Sequence, residues 1–119
     1  MKWCIVVAYA DDNVDKATIS LTLANAALSE GDSVSVILMS EGVRLAVSGH
    51  ADTLNNGEPF KPVAELISGV AGNGGELCVC MPCLKNRGVS EEDIDPRFTR
   101  IGGTDVLRIL RESERVLQL

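Results

Sequence analysis

The stretch Trp3-Cys4-Ile5-Val6-Val7-Ala8-Tyr9 is apolar throughout, β-branched at its centre and free of apolar–polar alternation. A strand covered on both faces reads this way, as in a parallel sheet; a half-solvated strand alternates. Outward from it, Asp11, Asp12 and Asn13 break the run, and Asp15 to Glu30 has a helical pattern with Ile19, Leu23, Ala26 and Ala27 on one face. Gly31 stands at the C′ position of that helix. Ser33 to Met39 reads as a second buried strand and Glu76 to Cys80 as a third. Between these two, Glu41 to Val47 predicts a short helix, and Ser48 to Lys61 a long polar loop that is a candidate lid or interface. Pro62 suits the first turn of a helix over Val63 to Ala71, ended by Gly72-Asn73-Gly74-Gly75. Beyond the third strand come a capped turn at Ser90 to Asp93, stopped by Asp95-Pro96, and a short strand at Phe98 to Ile101. Thr104 caps a last helix with Val106, Leu107 and Leu110 inward and Arg108, Arg111 and Glu112 outward, before a final strand over Arg115 to Leu119. Strands alternating with helices predict an α/β fold with a parallel sheet and helices on both faces.

At 119 residues the chain is a single domain, residues 1–119, long enough to bury roughly two-thirds of its unfolded surface. Hydrophobic residues at 45% and charged residues at 24% exclude wholesale disorder. Aromatics at 3% leave no stacking platform for single strands, and a net charge of -6 repels phosphate backbones, so direct nucleic-acid binding is not expected. No apolar run approaches the ~18–20 residues of a membrane span. Lys2 with the apolar run to Ala10 imitates a secretory signal but falls short of the usual ~15–30 residues, and its removal would delete the first strand. Cys78, Cys80 and Cys83 crowd together rather than spread as a disulfide framework. A cytoplasmic protein is expected.

In a parallel sheet, chemistry gathers beyond the carboxyl ends of the strands. Three loops matter there: Ala10 to Asp15, Ser40 to Gly42 and Met81 to Gly88. The third is the informative one. Alternation along the strand puts Cys78 and Cys80 on one face, with Cys80 at the strand end and Cys83 opening the following turn or helix. Free backbone N–H groups, a helix dipole and the nearby Lys85 and Arg87 favour thiolate in an otherwise acidic chain. Cys80 and Cys83 are therefore the candidate catalytic residues, nucleophilic or sulfur-carrying, with Lys85 and Arg87 stabilising the thiolate. Asp11, Asp12 and Asn13 turn the chain and cap the first helix, and line the cysteine pocket in a weaker second role. Cys4 and Cys78 read as core residues.

Competing constellations fail on residue type. Zinc lacks a fourth ligand, because three clustered cysteines have only the loop residue His50 to join them, so no metal and no cofactor is expected. A receiver domain would place a phospho-accepting Asp where Cys80 stands and a Lys near the last strand, which has none. Gly72-Asn73-Gly74-Gly75 closes a helix instead of opening one, so it is no phosphate loop. A single histidine in a polar loop assembles no Ser-His-Asp triad.

The segment Cys80-Met81-Pro82-Cys83-Leu84-Lys85-Asn86-Arg87-Gly88-Val89 resembles the cysteine-centred motif of the DsrE/DsrF-like (YchN/TusD-like) sulfur-relay family. The order of elements agrees with that family over nearly the whole chain. The resemblance implies a three-layer α/β/α sandwich around a mainly parallel sheet of about five strands. It also implies homo-oligomers, trimers or hexamers, and a cysteine that accepts sulfane sulfur as a persulfide and hands it on. By position before Arg-Gly, Cys80 matches the sulfur-accepting cysteine and Cys83 a second cysteine present in some members; no role is carried to Cys78. The partners implied are sulfur-donor and sulfur-acceptor proteins. Two alternatives stay open: a thiol–disulfide redox or sensor protein using Cys80 and Cys83, and a non-enzymatic oligomeric binding module. Leu54 and Phe60 in the long loop, with an exposed short edge strand, give separate sequence support to oligomerisation.

Overall fold

The computed structural model describes all residues, Met1 to Leu119. Five strands form one sheet, all in parallel: β1 (Lys2–Val7), β2 (Ser33–Leu38), β3 (Glu76–Cys80), β4 (Thr99–Ile101) and β5 (Arg115–Gln118), in the order β4-β3-β2-β1-β5. Four α-helices connect them: α1 (Val14–Ser29), α2 (Val63–Gly72), α3 (Met81–Asn86) and α4 (Gly103–Glu112). The first three connections step one way across the sheet, and the last returns past all of them to lie beside β1. Right-handed crossovers then put α1, α2 and α3 on one face and send α4 to the other. The packing agrees. Ala17, Leu21 and Ala24 of α1, Val63, Ile67 and Val70 of α2 and Leu84 of α3 share one large core with Ile5, Val7, Val36, Leu38 and Val79 of the sheet.

The opposite face has a small core of Cys4, Val6, Ile37, Cys78, Ile101 and the α4 residue Ile109. Val6 pairs with Ile37 across β1 and β2, and Ile37 with Cys78 across β2 and β3. This two-sided burial is why β1 reads as a continuous apolar run.

Two helix faces differ from the periodicity. On α1 the buried residues are Ala17, Thr18, Ser20, Leu21 and Ala24, while Leu23 is 41% exposed and Ala26 is exposed. The inward polar residues satisfy themselves: Thr18 donates to the Val14 carbonyl (2.7 Å) and Ser20 to the Lys16 carbonyl (2.8 Å). Hydroxyls bonded back into their own helix bury at little cost, so the helix gives no clear amphipathic stripe. On α4, Ile109 is the buried residue, Val106 and Leu110 pack beside the smaller core, and Leu107 is 54% exposed. The N-cap of α4 is Gly102, whose amide donates to Asp105 (3.0 Å); Thr104 lies inside the helix.

The segment Ser40–Ala46 is a 3-10 helix rather than an α-helix. The long loop contains a short 3-10 turn, Ala51–Thr53, and is anchored by buried Ala51 and Leu54, so Leu54 offers no free apolar surface. The 3-10 segment lies against the end of β1. A Cβ on Gly42 would run into the Val7 carbonyl oxygen. Backbone cannot turn aside as a flexible side chain does, so Gly42→Ala is expected to destabilise the fold by about 1–3 kcal/mol. Urea unfolding checks this, and a loss below about half a kcal/mol would show that the segment is free to shift.

Candidate functional site

The carboxyl ends of β2 and β3 lie side by side, and the two loops leaving them meet. Met39 prolongs β2 in extended geometry, its amide bonded to the Val7 carbonyl (3.1 Å). Ser40 then reverses the chain with φ +52°, the one non-glycine residue in the left-handed region. That conformation costs a residue with a Cβ about 1–2 kcal/mol and persists only where the surroundings fix it. Its result is specific. The Ser40 amide donates to the Cys83 sulfur at 3.3 Å.

A guanidinium fork holds the two loops together. Arg87 Nε donates to Glu41 (2.8 Å), one terminal nitrogen to the Cys83 carbonyl (3.2 Å) and the other to the Ser40 hydroxyl (3.3 Å). Glu41 also accepts from Arg44 Nε (2.7 Å). Hydrogen bonds from Arg44 and Arg87 keep the Glu41 carboxyl below the ordinary glutamate range, so it stays ionised. The Arg87 donors thus go to Glu41, Cys83 and Ser40 oxygens, not to sulfur, although its charge still favours ionisation of Cys80.

The four cysteines are free thiols in distinct settings. Cys83, on the first turn of α3, is partly exposed. Cys80 ends β3, is 6% exposed and joins the larger core, whereas Cys78 faces the smaller one. The expected shared face of Cys78 and Cys80 is therefore not observed: the chain is already turning into α3 at Cys80 and alternation ends there. Burial pushes the Cys80 thiol above its ordinary pKa, and hydrogen bonding with the Cys83 side chain adds to this. The Cys83 amide pulls the other way without completing a capping hydrogen bond to Cys80. Burial and the charge of Glu76 push Cys78 up to about 12, and its sulfur lies 3.6 Å from that carboxylate. Cys78 is a core thiol and no nucleophile at neutral pH.

The remaining expected residues lie apart from the sulfurs. Lys85 is exposed on α3, and its ammonium makes no hydrogen bond or ion pair, while its carbonyl accepts from the Gly88 amide (3.1 Å). Asp12 accepts from the Ala10 amide (2.9 Å), Asn13 caps α1 by accepting from the Lys16 amide (3.0 Å), and Asp11 pairs with His50 at 2.6 Å. None of these contacts reaches Cys80 or Cys83. Nor do three His, Cys, Asp or Glu side chains converge as metal ligands. The roomiest depressions lie elsewhere, including one of about 560 Å³ between α1, α2 and the loop before α2. The cysteine pair sits on an open edge, marked by its chemistry and not by concavity. Sequence reasoning singled out the loop Ser40 to Gly42 but not Ser40 and Glu41 as individuals. The available signal was an acid at one strand end facing Arg87 from the next.

A parallel α/β sandwich with paired cysteines at the carboxyl edge of its third strand is thus the class of protein defined here. The chain belongs to the DsrE/DsrF-like family, whose profile matches residues 1–119, and sulfur relay is the activity that this family suggests. It is 30% identical over 113 residues to the uncharacterized protein MK0008 of Methanopyrus kandleri, covering 95% of this chain and 89% of that one. It is 28% identical over 117 residues to the uncharacterized protein MJ0989 of Methanocaldococcus jannaschii, covering 98% of each. Among solved structures, the YchN protein of E. coli superposes with a TM-score of 0.83 at 19% identity, covering 99% of this chain and 98% of that one. MTH1491 of Methanobacterium thermoautotrophicum, a protein of unknown function, gives 0.74 at 14% identity over 99% and 98%. These two likenesses show the fold.

Replacing Arg87 by Ala removes both the fork and the positive charge. Alkylation of Cys83, followed by mass spectrometry, is expected to slow roughly three- to tenfold, with Arg87→Lys recovering only part because an ammonium cannot make the forked contact. An unchanged rate would remove Arg87 from the site. The raised Cys78 pKa has a thermodynamic consequence. A thiol that the fold holds protonated contributes its stability below the ordinary value of 9.0 and loses it as pH climbs toward about 12. Unfolding free energy should fall across that window, and Cys78→Val should flatten the slope; an equal slope in both proteins would contradict the assignment.

Proposed function

We propose that the chain is a small sulfur carrier that holds sulfane sulfur as a persulfide on the Cys80/Cys83 pair and passes it to an acceptor protein. The observation that carries this reading is the Ser40 amide directed at the Cys83 sulfur beside a second thiol one helical turn away. A persulfide is an anion at neutral pH and needs such a donor. In the loading reaction a cysteine thiolate attacks the outer sulfur of a donor persulfide, R–S–SH. A new S–S bond forms to the cysteine, the old one breaks, and R–S⁻ leaves. No electrons enter or leave the system. Family membership supports the same chemistry, and four free thiols suit a reducing compartment such as the cytoplasm. No helix is long and apolar enough to cross a membrane.

Assembly with further copies of the chain is part of the proposal. The α4 face of the sheet is thinly covered, leaving Leu107 and Val116 more than half exposed. An apolar groove of about 310 Å³ runs between α1 and β5, lined by Trp3, Leu23, Ala26 and Leu117 among others. Such surface on a small chain is characteristic of contact faces.

Intact-mass spectrometry after exposure to a sulfane-sulfur donor should show a gain of whole sulfur atoms, removed by reductant and absent from a variant lacking both Cys80 and Cys83. Formation of a Cys80–Cys83 disulfide with no sulfur gain would favour the redox alternative. Light scattering on the same samples should give a mass of several chains, and a monomer would refute the assembly.

A further inference from the structure

We propose that the two cysteines act in a fixed order: Cys83 takes sulfur from the donor, and Cys80 receives it second, from Cys83. The inference rests on the sulfur-carrier reading and specifies its course. The sequence resemblance alone puts first acceptance on Cys80; the geometry points to the other cysteine.

Access decides the first step. A donor persulfide on another protein must bring its outer sulfur into contact with the attacking sulfur, in line with the S–S bond that breaks. Cys83 is partly exposed, on a turn at the open carboxyl edge of the sheet. Cys80 is 6% exposed and packed into the larger core. Charge placement agrees. Negative charge on the Cys83 sulfur meets the Ser40 amide at 3.3 Å, held there by the contacts of Arg87 to Ser40 and to the Cys83 carbonyl. Cys80 has no completed capping bond to its sulfur, and burial keeps its proton on. Cys80 ends β3 and Cys83 stands three residues on, in the first turn of α3, so the junction of strand and helix sets the two thiols side by side for the second step.

That second step balances within the pair. Cys80–SH and Cys83–S–SH give Cys80–S–SH and Cys83–SH: the outer sulfur changes partner, and the Cys80 proton ends on the departing Cys83 sulfur. The buried persulfide is then shielded from thiols in solution, and the reverse exchange returns it to Cys83 for delivery. Attack by Cys80 on the inner sulfur would instead give a Cys80–Cys83 disulfide and H₂S, which spends the cargo.

The test is a quenched time course with inorganic polysulfide as donor, trapping persulfides by alkylation and locating them by peptide mass spectrometry. In the wild type, sulfur should appear first on Cys83 and later on Cys80. Cys83→Ser should load roughly tenfold or more slowly, and Cys80→Ser should stop the sulfur at Cys83. Sulfur arriving first on Cys80 in the wild type, with Cys83→Ser loading at an undiminished rate, would overturn the order while leaving the carrier reading intact. A wild type that takes up no sulfur would overturn both. The site mapping in the wild type is independent of how well either variant folds.

Discussion

The left-handed turn at Ser40 governs the arrangement of the whole carboxyl edge. It ends β2, aims a backbone amide at the Cys83 sulfur, and starts the 3-10 segment in which Gly42 lies against the Val7 carbonyl. Strain at one residue is thus offset by contacts on three sides: the β1 backbone, the Arg87 fork and the first turn of α3. A site built from two adjacent strand ends inherits the rigidity of the parallel pairing beneath it, because β2 and β3 are locked in register from Ser35 and Glu76 to Leu38 and Val79. Thiol chemistry on such a frame needs little reorganisation.

The same frame sorts the cysteines. Four thiols in one small chain would be a liability if all were reactive. Cys4 and Cys78 are buried on the α4 face, and burial there raises both pKa values. Cys80 is buried on the other side, and only Cys83 is partly exposed. Six consecutive positions thus hold a core thiol, Cys78, a buried thiol at the strand end, Cys80, and a partly exposed one, Cys83, without any difference in residue type.

Much of this was legible in the sequence. The apolar run at β1 announces two-sided burial, and the strand–helix alternation announces parallel order, because both follow from short-range pattern. Cys80, Cys83 and Arg87 stand out by residue type and spacing. What the sequence hides depends on contacts between distant segments. The inward face of α1 was obscured because Thr18 and Ser20 hide their hydroxyls in their own helix. Leu107 falls on the inward stripe that helical period predicts, yet Ile109 is the buried residue of α4 and Leu107 stands more than half exposed. Ser40 and Glu41 look like ordinary turn residues until Arg87, nearly fifty positions later, closes on them. Lys85 shows the converse: adjacency along the chain put a charge near the thiols on paper, and the helix turned it to solvent.

The contact between the Ser40 amide and the Cys83 sulfur is the central claim, and NMR can observe it directly. In a ¹H–¹⁵N titration of the reduced protein, the Ser40 amide resonance should move with ionisation of the Cys83 thiol, and the movement should vanish in Cys83→Ala. A Ser40 amide that ignores that ionisation, and exchanges with solvent as freely as an exposed loop residue, would contradict the account.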